Sequence, residues 1–374
     1  MWARATAWTI ERTGWGWPTL LGIMTLTITM ALLTIPSGAT AQATPVGSGE
    51  TVLTGDGVEF FIDPASNARR QAEEWRATRP DDAAAMLAIA DRSQVDWFGG
   101  WVPDIRAGVG ARVTEITGAG AIPVLVVYDL PFRDCGQYSA GGQNDPESYR
   151  TWVTTFAEGI GDRPAVVILE PDGLTLTDCL DERQTAERLA LLAFAVATFE
   201  ALPNTDVYID AGHSSWLPAQ EAARRLTIVG IDRAAGFALN TSNFQPTDDL
   251  IVFGKAVSEA IGAKGGTHFV LDTSRNGNGP WLADDPKTWC NPPGRALGEA
   301  PTVETADPLV DAYLWIKRPG ESDGSCRGSP DAGEWYPEYA LGLVRNVDHP
   351  NTSTGAACSS CATATIHSSD ATEA

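Results

Sequence analysis

The chain has 374 residues and carries 48 aspartates and glutamates against 26 lysines and arginines. Such an acidic balance disfavours nucleic acid and anionic membrane surfaces as partners, and it is compatible with a neutral or cationic substrate. The length allows either one large α/β barrel or two ordinary domains, so length alone does not choose between them.

The N-terminal segment is typical of a secretory signal peptide. Arg4 and Arg12 precede an apolar core over residues 20–35, and small residues then form two overlapping A-x-A cleavage sites within residues 39–43. The alternative is an uncleaved membrane anchor, since a spanning helix needs roughly 20 apolar residues. Four threonines dilute the apolar core and no basic cluster follows it. We therefore predict a signal peptide over residues 1–43, a short linker over 44–50, and a secreted protein without membrane contact after cleavage.

Beyond the linker, short apolar runs alternate with helical stretches, which is typical of β/α units and a parallel sheet. The helical pattern is clearest over residues 182–202, where alanine and leucine recur after an acidic start. No long linker divides the series, so an α/β fold with a single domain over residues 51–348, built as a parallel β/α barrel, is predicted. The seven predicted strands are residues 94–98, 122–128, 165–169, 206–209, 236–239, 268–271 and 312–316.

The C-terminal residues 349–374 are rich in serine, threonine and alanine, which indicates a disordered tail or the start of a linker. Six cysteines in an exported protein should mostly be paired, although the sequence leaves many connectivities open. For Cys358 and Cys361, which have C-x-x-C spacing, a redox motif is an alternative. The local groups are Cys135 with Cys179, Cys290 with Cys326, and Cys358 with Cys361.

Polar side chains follow the predicted strands at their carboxyl ends. In a parallel barrel these segments meet at one face, where active sites form, so we expect the groups to converge. Helix capping by aspartate and asparagine is an alternative, but it does not explain arginine, lysine and tryptophan in the same loops. The set comprises Asp129, Arg133, Asp134, Glu170, Asp172, Asp210, His213, Trp216, Asn240, Asn243, Asp272, Arg275, Lys317, Glu321 and Asp323.

Five blocks of sequence resemble, in order, the signatures of glycoside hydrolase family 6. They are VYDLPFRDC (127–135), LEPDGL (169–174), YIDAGH (208–213), DTSRNG (272–277) and WIKRPGESDG (315–324). The resemblance implies a distorted barrel of about seven strands that hydrolyses β-1,4-glucan with inversion and uses neither a metal nor an organic cofactor. It also implies that disulfides Cys135–Cys179 and Cys290–Cys326 hold active-site loops.

The resemblance assigns catalysis to three aspartates. An inverting glycosidase needs one carboxylic acid and one carboxylate that activates water, roughly 6.5–9.5 Å apart. Asp172 matches the acid, and Asp134 matches a second aspartate whose charge would raise the pKa of Asp172. Asp323 matches the candidate base, and the resemblance places Arg133 and Arg275 beside it as charge-positioning residues. Because an ion-paired carboxylate is a weak base, a water chain that delivers the proton to Asp134 is the alternative.

The same resemblance predicts the residues that bind the glucan chain. Tyr128 is expected to hold the sugar distorted at the cleavage point, Lys317 and Glu321 to bind sugar hydroxyls, and Asp210 with His213 to act as a structural and substrate-orienting pair. Indole rings stack on the apolar faces of sugars, although any of the thirteen tryptophans could be core. The complete predicted set is Trp97, Tyr128, Asp210, His213, Trp216, Asn240, Trp281, Lys317 and Glu321.

Endo action is predicted because the stretch from Asp323 to the terminal helix near Trp335 is short and offers little chain to cover the cleft. The prediction is therefore a monomeric, secreted endo-β-1,4-glucanase. An exo-acting cellobiohydrolase of the same family and a non-catalytic glucan-binding barrel are the alternatives. A further alternative is a metal-dependent lyase, in which carboxylates at the strand ends would bind Mg²⁺. These carboxylates are Asp129, Glu170, Asp210 and Asp272.

Overall fold

The computed structural model describes residues 51–347 except 56 and 306. The predicted signal peptide, linker and C-terminal tail, with Cys358 and Cys361, lie outside the described residues. Within the described part, no helix is long and apolar enough to span a bilayer. The helices and strands are α1 (Asn67–Trp75), α2 (Pro80–Ala90), β1 (Asp96–Phe98), α3 (Ile105–Gly118), β2 (Val124–Val127), α4 (Pro146–Ile160), β3 (Ala165–Leu169), α5 (Glu182–Phe199), β4 (Thr205–Asp210), α6 (Ala219–Val229), β5 (Gly236–Leu239), α7 (Thr247–Ile261), β6 (His268–Asp272), β7 (Val310–Leu314) and α8 (Pro337–Arg345).

The strands form one curled parallel sheet in the order β1 to β7, and each strand is hydrogen bonded to its neighbours in the chain. Strands β3 and β5 have the predicted bounds, and the other five begin and end within two residues of them. The prediction of a single α/β domain with seven parallel strands is therefore confirmed.

Each strand is apolar throughout because both faces of the sheet are covered. Along β2, Val124 and Val126 point into the curl of the sheet, whereas Leu125 and Val127 pack against the surrounding helices. This alternation follows from the two-residue period of a strand. The sheet thus separates an inner core from an outer core, and the carboxyl ends of the strands emerge together on one side.

Helix α5 connects the fold to the loops at that side. Its start is fixed by a capping box between Asp181 and Gln184, and it ends at Phe199, three residues earlier than predicted. From its buried face, Arg188 donates hydrogen bonds to the carbonyl oxygens of Leu176 at 2.7 Å and Pro131 at 2.9 Å. One arginine thereby ties the loops after β2 and β3 to the same helix.

The two edge strands, β1 and β7, meet at a seam, defined here as residues 95–97 and 315–318. Across it, the Val95 N–H donates to the Trp315 carbonyl at 3.1 Å, and the Trp97 indole N–H donates to the Ile316 carbonyl at 2.7 Å. The Arg318 side chain donates to the Val95 carbonyl at 2.9 Å. Single contacts, rather than a ladder, therefore close the sheet at this place.

Candidate active site

Asp172 lies in a tight turn after β3. Its backbone is left-handed, with a φ of 68°, a conformation that costs energy for a non-glycine residue and is found at functional sites. The Asp172 N–H donates to Oδ1 of Asp210 at 3.0 Å, so the end of β4 holds the turn in place. The carboxyl group of Asp172 is thereby presented at the carboxyl end of the sheet.

Burial raises the pKa of Asp172 well above its ordinary value, and the negative charges of Asp210 and Asp134 raise it further. Burial also raises the pKa of Asp210, to about 6. No cation is paired with Asp172 among the described residues. A carboxyl group that keeps its proton toward neutral pH can serve as a general acid.

Asp134 lies in the loop after β2 and accepts the N–H of Ser139 at 2.7 Å. Burial raises its pKa, while the Ser139 N–H and the charge of Arg133 lower it. The next residue, Cys135, is bonded to Cys179 with a Cα–Cα distance of 5.6 Å, as predicted. This disulfide joins the loop that carries Asp134 to the loop that follows Asp172.

Asp323 has a contrasting environment. Its Oδ2 accepts from Arg275 Nη1 at 2.8 Å and from the Asn291 N–H at 2.9 Å, and its Oδ1 lies 3.6 Å from Lys317 Nζ. Burial acts to raise the pKa of Asp323, but the charges of Arg275 and Lys317 outweigh burial and lower that pKa. Asp323 is therefore an ionised, ion-paired carboxylate, which is a weak proton acceptor.

Arg133 does not contact Asp323 and instead binds the loop after β2. Its guanidinium donates to the carbonyl oxygens of Tyr128 and Ser139, each at 2.8 Å, and its ion-pair partner is Asp129 at 3.4 Å. The prediction that it pairs with Asp323 is wrong, because the carbonyl groups of its own loop occupy its donors. Of the two predicted charge-positioning arginines, only Arg275 contacts Asp323.

Tyr128 and Trp97 form an aromatic corner at the ends of β2 and β1. Their ring centres are 5.2 Å apart at an interplanar angle of 84°, the edge-to-face arrangement that aromatic pairs favour. The Arg133 guanidinium carbon lies 4.8 Å from the centre of the Tyr128 ring. Burial raises the pKa of Tyr128 well above its ordinary value, so its hydroxyl stays protonated and can donate a hydrogen bond.

Among the described residues, Asp210 and His213 have different hydrogen-bond partners, and their substrate-orienting role stays a prediction. Asp210 accepts the N–H groups of Asp172 and Gly212, whereas Nδ1 of His213 accepts the Ser215 N–H at 3.2 Å. Burial lowers the pKa of His213 to about 4, so the ring is neutral near pH 7 and carries its proton on Nε2. The Trp216 ring lies 5.4 Å from the His213 ring, and together they form a separate aromatic patch.

Asn240 was predicted to bind substrate, but its side chain is fully buried. Its Nδ2 donates to the Asp272 carbonyl at 2.8 Å, and its Oδ1 accepts the Gln245 N–H at 2.9 Å. The side chain is thus occupied by backbone partners and cannot reach a ligand. Asn240 instead holds the loop after β5 against the end of β6.

The remaining predicted binding residues lie on the long segments around β7. Lys317 and Glu321 are half-buried, and Glu321 pairs with Arg318 at 3.4 Å. Trp281 is half-buried, with the Arg327 guanidinium 4.8 Å from its ring centre. One face of the Trp281 ring is therefore near a cation. Lys317, Glu321 and Trp281 remain predicted sugar contacts.

The loop that carries Asp134 meets the segments around Asp323 through Tyr138. Its hydroxyl accepts from Lys287 Nζ at 2.7 Å, and its ring centre lies 5.9 Å from that of Trp289. A side chain at Gly324, which has a φ of 148°, would overlap the Tyr138 ring. The predicted disulfide Cys290–Cys326 supports these segments. The acid side and the Asp323 side are thus in direct contact.

Two buried residues hold the site together without a predicted catalytic or sugar-binding role: Glu170 was expected only as one of the converging strand-end groups, and Asn291 was not predicted at all. Both carboxylate oxygens of Glu170 accept the Asp129 N–H, at 3.0 and 3.1 Å, and burial raises the pKa of Glu170 to about 8. Asn291 accepts the Asp323 N–H at 2.9 Å and donates its own N–H to that carboxylate. The sequence signals for them are slight: Glu170 lies in the LEPDGL block, and Asn291 follows Cys290.

The four carboxylates of the alternative Mg²⁺ site are occupied by donors instead. Asp272 accepts the N–H groups of Ser242 and Lys317, each at 2.9 Å, and Asp129 accepts the Gly100 N–H at 2.9 Å. Within the described residues, no group of three or more histidine, cysteine, aspartate or glutamate side chains is arranged to hold a metal ion. These carboxylates serve to fix the loops after the strands.

A half-buried acid and a separate ionised carboxylate at the carboxyl end of a curled parallel sheet define a glycosidase, the class of enzyme that cleaves sugar chains with two carboxyl groups. The family model for glycosyl hydrolases family 6 matches residues 56–347. The chain belongs to that family.

Two curated relatives and one solved structure illustrate the similarity. Endoglucanase A of Cellulomonas fimi is 44% identical over 77% of this chain and 61% of that enzyme. Endoglucanase 1 of Streptomyces halstedii is 40% identical over 85% of this chain and 97% of that enzyme. The structure of the endoglucanase Cel6 from Mycobacterium tuberculosis, in complex with methyl-cellobiosyl-4-deoxy-4-thio-β-D-cellobioside, is 45% identical, with a TM-score of 0.74, covering 78% of this chain and 98% of that chain. More than a third of the length of the Cellulomonas enzyme therefore lies outside the matched region.

Proposed function

We propose that the protein is an endo-acting β-1,4-glucanase that inverts the anomeric configuration, with Asp172 as general acid. The observation that carries this proposal is the environment of Asp172, which is half-buried beside two other carboxylates and has a raised pKa. The naming of the relatives as endoglucanases supports the substrate and the endo mode. The thio-oligosaccharide bound in the Mycobacterium enzyme supports a cello-oligosaccharide as ligand.

In the proposed reaction, Asp172 gives its proton to the glycosidic oxygen as the bond between that oxygen and the anomeric carbon breaks. Water attacks the anomeric carbon from the opposite face and forms the new bond, which inverts the configuration. The proton that the water loses passes to a carboxylate. Asp134, whose pKa is raised, is a better acceptor than Asp323, whose pKa is lowered by Arg275 and Lys317.

Asp323 then acts through charge. The transition state resembles an oxocarbenium ion, and a fixed carboxylate near it stabilises the positive charge without taking up a proton. The charges of Arg275 and Lys317 lower the pKa of Asp323 and so favour its ionised form. Tyr128, at the aromatic corner, lies between the Asp134 loop and Trp97 and is suited to contact the ring of the sugar that is cleaved.

We further propose that the enzyme is secreted and acts as a monomer. The leader pattern over residues 1–43 supports export, and two disulfides fit an oxidising compartment. The described chain supplies the acid, the ion-paired carboxylate and the aromatic corner by itself, so the site needs no second subunit.

The test is hydrolysis of carboxymethyl cellulose, followed both by viscosity and by new reducing ends. An endo-acting enzyme should lower the viscosity rapidly while few reducing ends appear, and NMR of cello-oligosaccharide products should show the α-anomer first. Release of cellobiose with little loss of viscosity would indicate exo action. A first product in the β-configuration would contradict inversion.

A further inference from the structure

Trp101 lies in the loop after β1, and 53% of its surface is exposed. The eight other tryptophans in the described part of the chain are all buried or half-buried. Neither the core nor the catalytic assignment accounts for this residue. An exposed indole at the side of the sheet where substrate binds has the surface that stacks on a sugar ring.

The Trp101 ring is held in place by the backbone. A side chain at Gly99 would overlap both the six-membered ring of Trp101 and the carbonyl oxygen of Tyr128. The indole therefore rests directly on the Gly99 main chain, which only glycine permits. A ring that is already fixed loses little conformational freedom when a ligand binds, which favours its use as a platform.

Arg133 connects Trp101 to the aromatic corner. Its guanidinium carbon lies 5.3 Å from the Trp101 ring centre and 4.8 Å from the Tyr128 ring centre. The two ring centres are therefore no more than about 10 Å apart, a distance that a short run of glucosyl units can span. The guanidinium contributes a cation–π contact with each ring, and it fixes their relative positions.

We propose that Trp101 is a binding platform for a glucosyl unit of the β-glucan chain, beyond the units that flank the bond to be cleaved. This inference rests on the proposed function and extends it, because it adds a contact that only longer chains can reach. The ligand is the apolar face of a pyranose ring, which is uncharged, in agreement with the acidic chain that repels polyanions.

The test compares cellohexaose with cellotriose as substrates of the full enzyme and of Trp101→Ala. Removing the indole should lower the ratio of kcat/KM for cellohexaose to that for cellotriose about three- to tenfold, the size of a stacking contact. Trp101→Phe keeps an aromatic face and should restore most of the ratio. Val252→Ala, at a 70% exposed position on α7, is the matched control and should keep the ratio of the parent enzyme.

Each outcome bears on the proposal. An unchanged ratio in Trp101→Ala overturns it, whether kcat/KM stays at the parent value or falls equally on both substrates. An equal fall would mean that Trp101 acts by positioning Arg133. Thermal midpoints of all variants should agree within a few degrees, because the side chain is half in solvent. Absence of hydrolysis by the parent enzyme would instead contradict the proposed function, so the two failures are distinguishable.

Discussion

Asp172 and Asp323 present the same side chain at the same end of one sheet, in surroundings of opposite charge. Asp172 lies near Asp210 and Asp134, which together with burial raise its pKa. Asp323 lies against Arg275 and Lys317, which lower its pKa despite burial. The comparison shows that the burial of a carboxyl group and the charges around it, and not its residue type, decide whether it can donate a proton.

Removing the proton donor should have the largest effect. Asp172→Asn keeps the shape of the side chain, and activity on carboxymethyl cellulose should fall on the order of 10²–10⁴-fold, the usual contribution of general acid catalysis. Binding of cello-oligosaccharide, measured by calorimetry, should persist because the aromatic corner is intact. The control is Asp206→Asn: burial raises the pKa of Asp206 as well, to about 6, but this residue is at the amino end of β4. Near-normal turnover in Asp172→Asn would remove Asp172 from the acid role.

Removing the ion-paired carboxylate should have the next largest effect. In Asp323→Ala the charges of Arg275 and Lys317 are left without a partner beside the developing positive charge, and kcat should fall on the order of 10²–10³-fold. Sodium azide should not restore activity if a water chain delivers the proton to Asp134. Formation of the inverted glucosyl azide, detected by mass spectrometry and NMR, would show instead that Asp323 is the direct base. Circular dichroism must accompany this variant, because an unpaired buried Arg275 destabilises the fold.

A smaller change should shift the pH dependence of kcat/KM. Asp210→Asn removes a negative charge beside Asp172 and keeps an oxygen for the Asp172 N–H, so the pKa of Asp172 should fall. Asp172 acts as an acid only while it is protonated, so the loss of activity on the basic side should begin at a lower pH. The basic limb of the kcat/KM profile should move down by about one pH unit. Glu200→Gln is the control: burial raises the pKa of Glu200 to about 7, but Glu200 binds the Val207 N–H at the start of β4. An unmoved basic limb in Asp210→Asn would separate Asp210 from the acid.

The sequence predicts the sheet because buried parallel strands appear as short apolar runs between helical stretches. It predicts the place of the site because polar residues follow those strands. It does not predict which partner each polar group takes. Asn240 adopts a left-handed backbone, with a φ of 69°, and this turns its side chain toward the Asp272 carbonyl. Arg133 binds its own loop because that loop curls back at Ser139. Both outcomes depend on the path of a loop, which residue type and spacing do not encode.

The seam between β1 and β7 bears on how the protein folds. Every ladder in the sheet joins strands that are consecutive in the chain, so each pairing closes the loop of one β/α unit rather than of the whole chain. The ion pair of Asp96 with Arg318, at 2.6 Å, instead joins residues 222 positions apart. We expect the strands to pair in chain order, and the seam to form only after the segment that carries residue 318 is in place. Since Lys317 and Asp323 lie in or just beyond the seam, the catalytic face would be completed in that last step.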